Sequence, residues 1–256
     1  MSITNVPNGR DLGGLSTSHG RATRSGRLYR SAAVLGPLAT DAVRDLGISH
    51  VYDLRTEPER TARPDELPVD AQLVVADVLA DDPGSGPASL GRIARLAADG
   101  DREHLSTQQL KETFEAGYRS FVSLGSAQTA SRSLLTNLAS GRDVPVLVHC
   151  TAGKDRTGWL VALALLAVGV SEDDVMADYL ASEAPVWDMF APYREQFAAK
   201  GGDVETMRVA IGVFPEYLAA ALDEMHSRYG NIDDYLASGL GLGDSVRETL
   251  AGQLLS

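Results

Sequence analysis

The sequence is poor in cysteine: its 256 residues contain one, Cys150. One thiol cannot close an internal disulfide or supply the sulfur ligands of a structural zinc site. Cys150 therefore works alone, as a small buried residue or as a reactive group. Basic charge is scarce as well. Lys and Arg total 23 against 35 Asp and Glu, for a net charge of −12 and a pI of about 4.8. That balance lacks the basic surface on which non-specific nucleic-acid binding runs, so no nucleic-acid partner is expected. Long apolar runs are missing too. The longest, Trp159 to Val170, has twelve residues, too few to cross a bilayer and right for a buried helix. Met1 to Arg10 is polar, so no secretory signal is visible. The cytoplasm is the default expectation, with export by a route that needs no cleaved signal left open.

What is present reads as an ordinary globular chain, 44% hydrophobic and 23% charged. There are no internal repeats and no true linker, which predicts a single domain over 1–256. The N-terminal third alternates short β-like runs (Leu28 to Ala32, Ile48 to Leu54, Gln72 to Val75) with turns and a short helix from Thr40 to Leu46, capped by Thr40 or Asp41 and stopped by Gly47. That order predicts an α/β fold with a mostly parallel central sheet flanked by helices. Ala80 to Pro87 is a Pro/Gly-rich hinge. Two helical patterns follow, one over Leu90 to Ala97 and one capped by Ser106 with Gln109 in capping-box position. The second carries the stripe Phe114, Tyr118, Phe121 and Val122. The pair reads either as core or as a lid. A further helix over Ser126 to Ser140 precedes the apolar run Val144 to Val148, and everything after Thr157 reads helical.

The chemistry gathers where Val144 to Val148 runs into His149-Cys150-Thr151-Ala152-Gly153-Lys154-Asp155-Arg156-Thr157-Gly158. Ligands of open α/β sheets bind at the carboxyl ends of strands, and loop amides before a helix N-terminus bind anions. The same field favours a thiolate at Cys150. The amides of Thr151, Ala152, Gly153, Lys154, Asp155 and Arg156 form the candidate phosphate cradle, with Gly153 allowing a tight turn. The Arg156 guanidinium suits two phosphoryl oxygens at once. Thr157 can donate its hydroxyl to the thiolate, and His149 can orient the loop. Lys154 is followed by Asp155 rather than Ser or Thr, which does not fit a nucleotide-binding P-loop.

This loop resembles the signature of the cysteine-dependent protein tyrosine phosphatases, in the bacterial branch that carries Gly-Lys-Asp-Arg-Thr-Gly. Asn8-Gly9-Arg10-Asp11-Leu12-Gly13-Gly14, Gly26 to Ser31, Asp53-Leu54-Arg55, Ala177 to Leu180 and Glu216 to Leu218 are similar to further motifs of that family. Gly9 departs from it, since many members carry an aromatic residue there. The resemblance implies a phosphocysteine mechanism, no metal or other cofactor, phosphorylated proteins or peptides as partners, and a mobile helical lid, here expected over 80–125. It also implies a general acid. Asp77, at a strand end before the hinge, and Asp155, inside the loop, are the main candidates, and Asp53 is a lesser one. Local positive potential would come from Lys154, Arg156, Arg10 and Arg55. Lys154 raises phosphoinositides as an alternative substrate class, because lipid-directed relatives often carry a cation at that position. A catalytically silent phosphate-binding module is a further alternative. A sulfur transferase or arsenate reductase also uses a cysteine in an anion loop, but the latter usually needs additional cysteines, and this chain has none.

Overall fold

The computed structural model describes residues 2–82 and 106–256. Its centre is a five-stranded sheet in the order β1-β2-β5-β3-β4. The strands are β1 (Arg10–Asp11), β2 (Leu28–Ser31), β3 (His50–Asp53), β4 (Gln72–Val75) and β5 (Val146–His149). Only β1 runs antiparallel to its neighbour; the others are parallel. The last strand in sequence thus lies in the middle of the sheet.

Alternation along the strands decides which layer each residue joins. Tyr29, Val51 and Leu147 face one side, where they bury against α1 (Pro37–Asp45) through Ala39 and Val43. Leu28, Tyr52, Val146 and Val148 face the other side and the much larger helical layer. At the centre of that layer is α5 (Asp155–Ala167), whose residues are all buried, as expected of a helix that is apolar all round. Around it lie α3 (Thr107–Ser123), α4 (Gly125–Ser140), α6 (Glu172–Leu180), α7 (Glu183–Met189), α8 (Ala191–Ala199), α9 (Val204–Ile211), α10 (Pro215–Tyr229) and α11 (Asp244–Leu254).

One local expectation needs correction. The first helix starts at Pro37, not Thr40, with Gly36 as N-cap. Proline is pre-organised for a first helical position, and Thr40 instead donates its hydroxyl to Gly36 O and Glu66 O. The helix α2 (Glu57–Ala62) was not anticipated, although Thr56 and Glu59 form a capping box. In the region expected as a lid, the pattern over Leu90 to Ala97 lies outside the described residues. The helix capped by Ser106 does form; its Leu110, Phe114, Tyr118, Phe121 and Val122 are buried in the core, and the Phe114 ring stacks on Tyr217 of α10. The start of the hinge is also tied down. The Asp81 carboxylate accepts from the Ser126 amide at 2.6 Å, and the Ser126 hydroxyl donates to Val78 O. No helix among the described residues is long and apolar enough to cross a membrane.

Candidate active site

The central strand β5 ends at His149, the loop 150–154 follows, and Asp155 opens α5. Cys150 sits at this turn, 2% exposed. Gly153 has φ +69°, and a Cβ there would lie 2.1 Å from Ser31 O. The glycine is thus required by the close approach of the loop to β2 as well as by the turn.

The back of the loop is held by side chains. Asn8 Nδ2 donates to Ala152 O and Gly153 O at 3.0 and 2.9 Å. The fully buried Arg30 donates to Gly153 O at 2.7 Å. Because a trans peptide points its N–H opposite to its C=O, tying these carbonyls behind the loop turns the amides of Gly153 and Lys154 to the other side. The motifs around Asn8, Arg30 and Asp178 thereby converge: Asp178 of α6 pairs with Arg10 at 2.7 Å and with Arg30 at 2.5 Å. Gly9 has no room for a larger residue, since a Cβ there would meet Val6 O at 2.7 Å.

Arg156 meets a partner that sequence reasoning missed. Its Nη1 and Nη2 lie 2.6 and 2.8 Å from the two oxygens of Glu59, on α2. Thr151 Oγ1 donates to the same carboxylate at 2.6 Å. Burial alone would push the Glu59 carboxyl up. Arg156, Thr151 and the Thr56 amide outweigh it and hold the pKa at about 2. Burial would likewise lower the Arg156 pKa, but the Glu59 charge and hydrogen bonds raise it further. The Thr56-x-x-Glu59 spacing was the available signal, the same capping-box pattern that marks Ser106 and Gln109.

His149 is fully buried, with Nδ1 3.2 Å from Cys150 O and Nε2 3.2 Å from Asp65. Asp53, Asp65 and His149 lie close enough together to resemble a metal-ligand cluster. Arg55, however, bonds to both carboxylates, at 2.7 Å to Asp53 and 2.6 Å to Asp65, and supplies the cation there. This explains Asp53 as a structural partner and keeps Arg55, as well as Arg10, bound in ion pairs. The Thr157 hydroxyl is buried and has no hydrogen-bond partner among the described residues, so it is free to donate.

Lys154 does not face the cradle as a free cation. It is 1% exposed, donates to Gly212 O at 2.8 Å, lies over the Phe114 ring and sits 3.7 Å from Asp155. Burial lowers its pKa, with Asp155 and Cys150 opposing that shift. Asp155, 1% exposed, accepts from the Tyr118 hydroxyl at 2.7 Å, which in turn contacts the Tyr179 hydroxyl at 2.8 Å. Asp77 is held more loosely. It accepts from the Leu79 amide at 2.9 Å and lies 3.7 Å from Arg60, with its side chain 16% exposed.

A buried thiol at the end of a central parallel strand, wrapped by a loop with outward amides and faced by an arginine, defines a cysteine-dependent phosphatase in an α/β fold. Comparison with known proteins agrees. Residues 1–256 match the model of the tyrosine phosphatase family. The chain is 34% identical to the triple specificity protein phosphatase PtpB of Mycobacterium tuberculosis over the whole of both chains. It is 30% identical to a tyrosine-protein phosphatase of Nostoc commune, across 80% of this chain and 67% of that one. The chain belongs to the tyrosine phosphatase family, and it is a protein phosphatase.

Proposed function

We propose that the protein hydrolyses tyrosine phosphate esters of proteins and peptides through a phosphocysteine on Cys150. The observation that carries this reading is the loop itself, with its Ala152 and Gly153 carbonyls held by Asn8 and Arg30 so that the Gly153 and Lys154 amides turn the opposite way. In the first step the Cys150 thiolate forms an S–P bond in line with the departing tyrosine oxygen. The P–O bond breaks, and Asp77 gives its proton to that oxygen. In the second step a water oxygen bonds to phosphorus and its proton returns to the Asp77 carboxylate. The S–P bond breaks, and the thiolate leaves with the Thr157 hydroxyl as donor. Arg156 and the loop amides hold the phosphoryl oxygens throughout.

Asp77 suits the acid role better than Asp155. A proton donor must reach the leaving group at the mouth of the site, and Asp77 is the partly exposed carboxylate. Asp155 is enclosed, and its Oδ1 already accepts from the Tyr118 hydroxyl. Asp155 instead faces Lys154 and helps order the first turn of α5, where a negative charge is favourable.

The experiment is phosphate release from an aryl phosphate and a phosphotyrosine peptide by the wild type and Cys150→Ser. Turnover should vanish in the variant. Wild-type hydrolysis by Cys150→Ser would overturn the mechanism. Asp77→Asn should slow substrates with poor leaving groups far more than those with good ones. Equal loss on both would return the acid role to another group.

The substrate range is wider in at least one relative, whose name carries triple specificity. A panel of phosphotyrosine, phosphoserine and phosphothreonine peptides with phosphoinositides decides the range here. The buried Lys154 lends the phosphoinositide class no geometric support, because its ammonium is spent on backbone carbonyls.

A further inference from the structure

Behind the phosphate loop the hydrogen bonds close into a circuit. Gly153 O accepts from Arg30, Arg30 pairs with Asp178, and Asp178 pairs with Arg10. Arg10 donates to Asn8 Oδ1 at 2.6 Å, and Asn8 donates back to Gly153 O. Asp178 lies on α6 and forms no hydrogen bond to residues 150–154 among the described residues; its carboxylate is taken up by Arg10 and Arg30. We infer that Asp178 is a positioning residue for oxyanion binding: it sets the direction of the loop amides through two arginines and an asparagine, without a hydrogen bond of its own to the loop. This rests on reading the loop as the phosphate cradle.

The sheet register explains why a carboxylate is needed at this point. Arg10 and Arg30 are direct partners across the antiparallel β1–β2 pair. Like charges placed opposite each other in a sheet repel. Arg30 is fully buried, so it cannot swing to water for relief. One carboxylate shared between the two converts that repulsion into a clamp. Arg10 Nη2 adds bonds to the Asp178 carbonyl at 2.6 Å and to Ser182 Oγ at 3.1 Å, which fixes Arg10 to the same turn of chain. Each arginine is then oriented at one end by Asp178 and delivers its other end toward the loop, Arg30 directly and Arg10 through Asn8. The neighbouring Tyr179 reaches Asp155 through Tyr118. Adjacent residues of α6 thus brace the loop from behind and at its exit into α5.

A merely structural role would move stability alone. A positioning role also moves the affinity for a phosphoryl-like anion in the protein that remains folded. The test is inhibition of aryl phosphate hydrolysis by vanadate and by inorganic phosphate, with kcat and KM, for the wild type, Asp178→Asn and Arg10→Met. Asp178→Asn should weaken vanadate inhibition about tenfold, the effect of about 1.4 kcal/mol, and vanadate should suffer more than phosphate. Arg10→Met leaves the Asp178–Arg30 pair balanced and opens the circuit at a residue that forms no hydrogen bond to residues 150–154 among the described residues. It should shift vanadate in the same direction by a smaller factor, so the inference stays testable if Asp178→Asn fails to fold. The shift should persist in about 1 M salt, where the screening length is about 3 Å, because it comes from geometry and not from lost positive potential. In the double variant with Asn8→Ala, Arg10→Met should add little, since both open the same circuit. Folded variants with wild-type vanadate inhibition, or a shift abolished by salt, would overturn the inference. A wild type that neither turns over aryl phosphate nor binds vanadate would instead overturn the reading of the site.

Discussion

Glu59 offers a quantitative test because one carboxylate holds both Arg156 and Thr151. The perturbation is Glu59→Gln, which keeps the shape and removes the charge. The Glu59 carboxyl falls from an ordinary 4.5 to about 2 in the folded protein, which corresponds to about 3 kcal/mol of stability at neutral pH. The side chain is 13% exposed, so solvent screens little of this. A depressed carboxyl stabilises the fold above its unfolded value and loses that contribution as pH falls through its folded value. The difference between wild type and Glu59→Gln should therefore be full at pH 7 and shrink between about pH 4.5 and about pH 2. Thermal unfolding at pH 7 should drop by roughly 5–10 °C for a domain of this size. Denaturant titrations at a series of pH values read the closing of the gap. The same variant tests function. As a strut for Arg156, Glu59 should be needed for phosphate affinity, so Glu59→Gln should raise KM and lower kcat/KM. A gap independent of pH would refute the energetic reasoning. Tighter phosphate inhibition in the variant would show that the carboxylate competes with substrate for Arg156 instead of holding it.

Two further outcomes are expected. Gly153→Ala forces a Cβ against Ser31 O at a positive φ. Folded yield should drop or stability fall by about 3 kcal/mol or more, with loss of phosphate release, and near-wild-type unfolding and activity would refute the required close approach. Lys154→Met should leave the ratio of phosphoinositide to phosphotyrosine hydrolysis unchanged, since the ammonium is bound to carbonyls. Burial lowers the Lys154 pKa below its usual 10.5. The folded state then holds fewer protons than the unfolded one just below that value, so wild-type stability should rise relative to Lys154→Met as pH climbs toward it. An opposite slope in denaturant titrations would contradict this.

Much of the site was legible because its logic is local. The thiol, the turn glycine, the arginine and the helix start lie within a few residues of one another, and a strand running into an apolar helix places them at one end of a sheet. The parallel sheet and the apolar α5 follow from short-range patterning. The start of α1 lies before Thr40 because Pro37 at a first helical position outweighs the polar cap candidates that follow it. The short α2 leaves little trace in the sequence because six residues give little periodicity, and its capping box is its one local signal.

Local patterning along the chain is enough for the α/β class, the phosphatase signature and the isolation of the single cysteine. Tertiary structure alone decided what surrounds them. Glu59 reaches Arg156 across 97 positions of chain, and Asp178 meets Arg10 across 168. Lys154 looks like a phosphate ligand in the sequence, yet it turns toward the carbonyl end of α9. The physical reason is that an ionised group's role depends on which opposite charge or dipole the fold places against it in a buried setting. Spacing along the chain carries that information only for neighbours in sequence.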